Sequence, residues 1–339
     1  MISRFSFTRR DVLRSLTSAG IGGLASGSAA FGRTNKQASS ISPGRIDVHH
    51  HFRVAGMKGV MPVDGWTPAR SIEQMDKFGI ATAIVSTPTL MDLYDGTERA
   101  RGLARTYNEY AAKMVQDYPG RFGFFACLPF PDQQASLREI DYAFGTLKAD
   151  GIGLFTNTGD KWPGDPQFEP IFEELNRRNA AVFFHPVVGN CCRNLMPGVA
   201  DTVLEFDFDT TRAVTSLLAN GTLFRFPNIR FIVNHSGAAV PVLAGRIRDR
   251  VADHPERYPQ GALYELQKLH YEVAHATYPW PIAALTKFVP ITQVLFGSDY
   301  PFEAIRTTVE PLPTSGLSRA SLRAIDRGNA ERLFPRLKA

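Results

Sequence analysis

Ile46-Asp47-Val48-His49-His50-His51-Phe52 is the stretch on which the reading of this chain turns. An apolar strand runs into three consecutive histidines. Side chains alternate across a strand, so His49 and His51 share one face and His50 takes the other. Two imidazoles on one strand face can hold one metal ion. The run is internal and closes on Phe52, which sets it apart from a tag remnant at a terminus. The remaining ligands must come from elsewhere in the chain.

From Arg45 onward, apolar runs of strand length alternate with segments of helical period. The strands are expected at Ile46–His49, Thr82–Ser86, Phe122–Leu128, Gly151–Phe155, Ala181–His185, Arg230–Asn234, Leu269–Ala274 and Gln293–Gly297. Many carry Val, Ile and Phe on consecutive positions, as parallel strands buried on both faces do. Helical patterns fall between them at Ala100–Asp117, Gln134–Lys148, Phe168–Arg178, Asp209–Asn220 and Val240–Val251. Ser318–Leu333 closes the chain, and Asp209-Thr210-Thr211 reads as a helix cap. Eight such repeats in an α/β chain of 339 residues predict a single (β/α)₈ TIM barrel over residues 45–339. The competing open, doubly wound sheet lacks its Gly-x-Gly-x-x-Gly turn.

Such barrels carry chemistry at the C-terminal ends of their strands. Strand one ends in His49 and His51, strand five in His185-Pro186, strand six in His235-Ser-Gly237 and strand eight in Asp299-Tyr-Pro301. Imidazole and carboxylate suit Zn²⁺ and other divalent first-row metals. His50, His254, His270 and His275 stay outside this constellation, with His50 packed behind strand one as a bystander. Phe52, Trp66, Phe155 and Trp162 are candidate aromatic walls. Arg53 and Lys58 lie in the loop after strand one, Arg70 opens the next helix, and Arg212 is another cation near the expected mouth. The segment Val54–Thr67 reads as a long irregular loop after strand one.

Residues 1–30 read as an address. Arg9-Arg10 precedes a short Gly/Ala-rich apolar run, and Ser28-Ala29-Ala30 offers a cleavage site after Ala30. This layout resembles a twin-arginine export signal, so the export machinery is an expected partner and the periplasm the expected location. Residues 31–44 read as a linker. The N-terminal 30 residues hold +3 of the formal +5, and no clustered basic stripe follows, so nucleic-acid binding is not indicated. Cys127, Cys191 and Cys192 do not make a disulfide framework.

Together, Asp47-x-His49-x-His51, Phe184-His185-Pro186, Asn234-His235-Ser-Gly237 and Gly297-Ser-Asp299-Tyr-Pro301-Phe302 resemble the amidohydrolase superfamily. Within it the chain is similar to the decarboxylase branch typified by aminocarboxymuconate-semialdehyde decarboxylase. Tyr107-Asn-Glu-Tyr110, Arg121-Phe-Gly-Phe-Phe125 and Phe208-Asp-Thr-Thr-Arg-Ala213 further resemble 6-methylsalicylate decarboxylases. The resemblance implies one divalent metal, Zn²⁺ with Mn²⁺ as the alternative, held by His49, His51, His185 and Asp299. It implies His235 and Asp299 in acid/base roles and a small carboxylic acid as substrate. Relatives often form dimers, so a homodimer is expected. Strand four offers no lysine at its end, which favours one metal over two. Arg212, Phe52 and Trp66 are the expected substrate contacts.

Three functions are compatible with these residues. The first is non-oxidative decarboxylation of an aromatic or muconate-like acid. The second is hydrolysis of a lactone, ester or amide by a metal-activated water. The third is a binding protein that kept the barrel, which an intact ligand set argues against.

Overall fold

A computed structural model describes residues 44–54, 65–88, 91–251 and 254–338. The export signal, most of the linker, and the part of the strand-one loop that includes Lys58 lie outside these residues. Eight parallel strands follow one another in chain order. They are β1 (Arg45–His51), β2 (Ile80–Ser86), β3 (Phe122–Cys127), β4 (Gly151–Phe155), β5 (Ala181–His185), β6 (Arg230–Val233), β7 (His270–Glu272) and β8 (Val294–Leu295). The sheet closes on itself where β1 meets the segment after β8. Val48 N–H donates to Phe296 O at 3.0 Å, and His51 N–H donates to Tyr300 O at 2.7 Å. The (β/α)₈ barrel expected from the sequence is therefore the fold.

The larger helices after β1 to β7 are α1 (Pro68–Lys77), α2 (Glu98–Asp117), α3 (Gln133–Gly145), α4 (Glu169–Arg177), α5 (Glu205–Ala219), α6 (Val240–Val251) and α7 (Pro279–Phe288). Local chemistry sets several starts. Thr67, Thr97 and Asp132 each accept a first-turn backbone N–H with the side chain. The expected cap at Asp209 is a correction. Helix α5 begins four residues earlier, and Asp209 is buried inside it. Its carboxylate instead accepts from Thr156 Oγ1 (2.6 Å), Asn157 Nδ2 (2.7 Å) and Trp162 Nε1 (2.9 Å). Strand-end donors claimed the acceptor that a cap would have used.

Strand alternation sorts the core into two shells. Val85, Phe124, Ala126, Val182, Phe184, Phe231, Val233 and Val294 face the helices. Ile84, Phe125, Phe183, Ile232 and Leu295 face inward, with Ile46 and Val48. β1 departs from strict alternation. Asp47 pairs with Ala83 and His50 with Val85, so three residue steps on β1 match two on β2. This bulge lets Val48 and His49 both point into the barrel, while Asp47 and His50 point out.

The closing helical segment, Arg319–Leu333, widens to a π-turn at Ala324–Gly328. Leu333, Phe334 and Leu337 join the inner shell. Arg45, at the start of β1, pairs with Asp326 of this segment at 2.9 Å, and both side chains are buried. Arg230, at the start of β6, donates to Leu333 O at 2.6 Å. The N-terminal end of the barrel is thus plugged, which leaves the other end for a site. Removing an inner-shell aromatic should loosen the plug. Phe334→Ala is expected to cost about 3–5 kcal/mol, read as a lowered midpoint in chemical denaturation. A change under 1 kcal/mol would mean that the plug is not part of the core.

Candidate metal centre and active site

The five residues chosen at strand ends converge at one mouth. His49 and His51 come from β1, His185 from the end of β5, His235 from just beyond β6, and Asp299 from the turn beyond β8. Donor atoms of His49, His51, His185 and Asp299 all lie within 4.8 Å of one another. His49 Nε2 is 3.1 Å from His51 Nε2. Asp299 Oδ1 lies 3.2 Å from the first and 2.9 Å from the second.

The opposite ring nitrogens decide what this convergence means. His49 Nδ1 is 2.9 Å from Glu272 Oε1. His51 Nδ1 is 3.3 Å from Ser86 O and 3.2 Å from Thr87 O. His185 Nδ1 is 2.9 Å from Pro186 O. Each partner is an acceptor, so each Nδ1 carries the proton and each Nε2 turns a lone pair inward. Asp299 Oδ1 is buried with no well-formed hydrogen bond of its own. Three ring nitrogens and a carboxylate oxygen brought this close are accommodated by a cation between them, either a proton or a metal ion. The residues present therefore fit one divalent ion with nitrogen and oxygen donors.

The local field says the same. Burial disfavours a charge on His49, yet the carboxylates of Asp299 and Glu272 push its pKa up to about 10. A field that holds a proton there also favours a metal. Burial lowers the pKa of His51, and burial with the neighbouring His51 and His49 drives that of His185 well down. Both are thus neutral, as ligands must be. Burial alone would raise the Asp299 pKa, but charged His49 and the neighbouring imidazoles of His235 and His275 hold it well below the usual carboxylate range.

His235 stands beside this set. Its Nδ1 is 3.4 Å from Asp207 Oδ1, and its buried Nε2, 3.7 Å from Asp299 Oδ2, has no hydrogen-bond partner. Burial works against its charge, but Asp207, Asp299 and Glu272 push its pKa up to about 9. His235, His275 and Asp299 all have positive φ, at 48°, 57° and 58°. Such backbone is uncommon outside glycine and gathers at functional sites. Above these residues lies a cavity of about 580 Å³. His185, His235, His275 and Asp299 line its depth, Val203, Phe206 and Phe302 form an apolar wall, and Thr202, Asp207 and Glu303 add polar groups.

Other sequence candidates fall elsewhere. Phe52 is 1% exposed and packs on Tyr107 and Tyr110 in the outer shell, because alternation sends the residue after His51 outward. Trp66 is buried in that same shell. Arg212 approaches Glu205 at 3.5 Å and Asp209 at 3.7 Å, and shares a separate surface hollow with Trp162. Arg70 turns back to Gly65 O at 2.7 Å. None of these lines the cavity. Phe155 stacks on Tyr94, with its ring 6.2 Å from that of His185. His275, left out of the constellation, reaches Asp299 Oδ2 at 2.8 Å and does line it. The three cysteines are free thiols.

Glu272 is the residue that sequence reasoning missed. It is fully buried in β7 and accepts from His49 Nδ1, from His235 N–H at 2.7 Å and from Ala274 N–H at 2.6 Å. The signal was present, since a lone acid between Tyr271 and Val273 interrupts an apolar strand. Gly297 makes room for it, because a Cβ there would lie 2.1 Å from Glu272 Oε2 and 2.9 Å from His49 Cβ. Glu272→Gln keeps the shape but removes the charge that orients His49. It is expected to weaken divalent-metal affinity by roughly 10- to 100-fold, measured by chelator competition. Unchanged affinity would deny Glu272 this role.

Comparison with known proteins agrees with the geometry. A family model for amidohydrolases matches residues 46–336. A decarboxylase of Aspergillus niger is 33% identical over 87% of this chain and 88% of its own length. The 6-methylsalicylic acid decarboxylase of Penicillium expansum is 31% identical over 87% of this chain and 97% of its own. Among solved structures, dihydroxybenzoic acid decarboxylase from a Polaromonas species, with bound manganese and the inhibitor 2-nitroresorcinol, superposes with a TM-score of 0.73. It is 22% identical and is matched over 88% of this chain and 98% of its own. The chain belongs to the amidohydrolase family.

Proposed function

We propose that this protein is a metal-dependent, non-oxidative decarboxylase of a small aromatic carboxylic acid. The observation that carries the reading is the convergence of donor atoms of His49, His51, His185 and Asp299 beside the unpartnered Nε2 of His235. The decarboxylase names of the two relatives support it. His49, His51, His185 and Asp299 would hold one divalent cation. Three imidazoles and a carboxylate suit zinc or manganese, and the Polaromonas enzyme carries manganese.

When bound there, the cation supplies the charge that seats a substrate carboxylate and draws electron density from it and a neighbouring oxygen. His185, Phe206 and Phe302 bound the cavity at that level and would orient a flat ring. His235, whose proton Asp207, Asp299 and Glu272 favour, would donate from Nε2 to the ring carbon that bears the carboxylate. The bond from that carbon to the carboxylate then breaks. Its electron pair returns to the ring, and CO₂ leaves. Solvent reaches half-exposed Asp207 and would restore the His235 proton.

Chelator dialysis is expected to abolish CO₂ release from 2-hydroxybenzoates, and added Mn²⁺ or Zn²⁺ to restore it. His235→Asn should lower kcat by roughly 10²- to 10⁴-fold while bound metal per chain stays the same. Full activity in the chelated protein, or more than a tenth of the rate in His235→Asn, would sink the assignment. Ring opening of a lactone without CO₂ would move the protein to the hydrolases.

We also infer that residues 1–30 direct export of the folded chain, on the strength of Arg9-Arg10 and Ser28-Ala29-Ala30. Replacing both arginines by lysine should leave the protein in the cytoplasm on cell fractionation. Unchanged periplasmic recovery would reject the export reading.

A further inference from the structure

The cavity wall above the histidines is acidic. Among the described residues that line it there is no lysine or arginine, while Asp207 and Glu303 each bring a carboxylate. Asp207 is half-exposed and reaches His235 Nδ1 at 3.4 Å. Glu303 is partly buried, and its carboxylate has no hydrogen-bond or ion-pair partner among the described residues. Deeper in, His235 Nε2 is buried, unpartnered and aimed into the same space. Arg212, the cation expected from sequence as a substrate contact, is engaged by Glu205 and Asp209.

We propose that the site selects an aromatic acid with one carboxylate at the metal end and a hydroxyl or amine donor at the opposite side of the ring, and rejects a second carboxylate. This rests on the reading of the histidine end as the seat of the reacting carboxylate. One carboxylate satisfies the cation held there. A second, at the far side of the ring, comes against Asp207 and Glu303, with no lysine or arginine among the described lining residues to compensate it. Like charges a few ångströms apart in a partly enclosed site repel strongly, and salt screens them less than on an open surface. A hydroxyl or amino group in the same position instead donates to Glu303, and hydrogen bonds to an ionised acceptor are about twice as strong as neutral ones. The apolar wall of Val203, Phe206 and Phe302 covers the ring faces and adds no counter-charge.

A matched series tests this on the full chain loaded with Mn²⁺. 2-Hydroxybenzoate, 2,4-dihydroxybenzoate, 4-amino-2-hydroxybenzoate and 4-carboxy-2-hydroxybenzoate differ at one ring position. Their dissociation constants come from isothermal titration calorimetry, and CO₂ release is followed separately. The hydroxyl and amino compounds are expected to bind about 3- to 10-fold more tightly than 2-hydroxybenzoate, and the dicarboxylate roughly 30-fold more weakly. Glu303→Gln should narrow the gap between dicarboxylate and monocarboxylate by about 5-fold or more. A dicarboxylate that binds within 3-fold of the monocarboxylate, a gap unmoved by Glu303→Gln, or no binding by any of the four overturns the proposal. The same affinity order without CO₂ release would leave the selectivity standing and remove the decarboxylase reading. Equal CO₂ release from mono- and dicarboxylate would do the reverse.

Discussion

The carboxylate of Asp47 holds the seam of the barrel, and the metal centre depends on that seam. Its Oδ1 accepts from His49 N–H at 3.1 Å and Ser298 N–H at 3.0 Å. Its Oδ2 accepts from Ser298 Oγ at 2.5 Å and lies 2.9 Å from His50 Nδ1. Asp47 is fully buried, and a buried carboxylate is tolerated only when its acceptor capacity is filled. Filling it ties the strand that carries His49 and His51 to the turn that carries Asp299. His49 O completes the tie by accepting from Ser298 N–H and Asp299 N–H. His50 is therefore a strut and not a bystander, since its Nε2 continues the chain to Ser71 Oγ at 2.7 Å on α1. Ser71, His50 and Asp47 stand in the order of a nucleophilic triad. All three are fully buried, so no substrate reaches them, and the order serves packing.

From the seam the charge logic runs inward. Asp299 and Glu272 place two ionised carboxylates in a buried region at the floor of the cavity, against His51 and His185, which burial keeps neutral. Such a region needs a cation, and the inward Nε2 atoms mark where it belongs. The strained turns at His235, His275 and Asp299 serve the same end. Each bends the chain just past a strand so that its side chain returns over the mouth. Strain of order 1–3 kcal/mol at each such residue persists only where the surroundings fix it. Here the sheet, the Asp47 clamp and Glu272 do so.

Much of this was legible in the sequence, for a physical reason. Parallel strands buried on both faces read as continuous apolar runs, so the eight strands and the polar residues that end them stand out. His49, His51, His185, His235 and Asp299 were found because each terminates such a run. What escaped notice depended on geometry that alternation does not encode. The bulge in β1 shifts the face by one residue and separates Asp47 from His49, which simple alternation would pair. Asp209 has the composition of a cap, and only the barrel brings Thr156, Asn157 and Trp162 to it. Phe52 and Trp66 sit beside the metal motif in sequence, but packing takes both into the outer shell. Glu272 was passed over because it lies inside the expected strand Leu269–Ala274, whereas the expected chemistry sits at strand ends.

The two ends of the barrel divide the work between stability and chemistry. The N-terminal end is sealed by Leu333, Phe334 and the Arg45–Asp326 pair, which make no demand on a ligand. The mouth holds the polar groups that are left to meet a ligand. On the proposed reading, a substrate would enter as an anion whose carboxylate answers a cation held at the histidines. Decarboxylation removes the group that gave it a hold there and leaves CO₂ and a ring without that charge. The acidic wall of Asp207 and Glu303 offers the ring a hydrogen bond but no charge of opposite sign in place of the lost one. Release of the products would then follow from the same arrangement of charge that bound the acid.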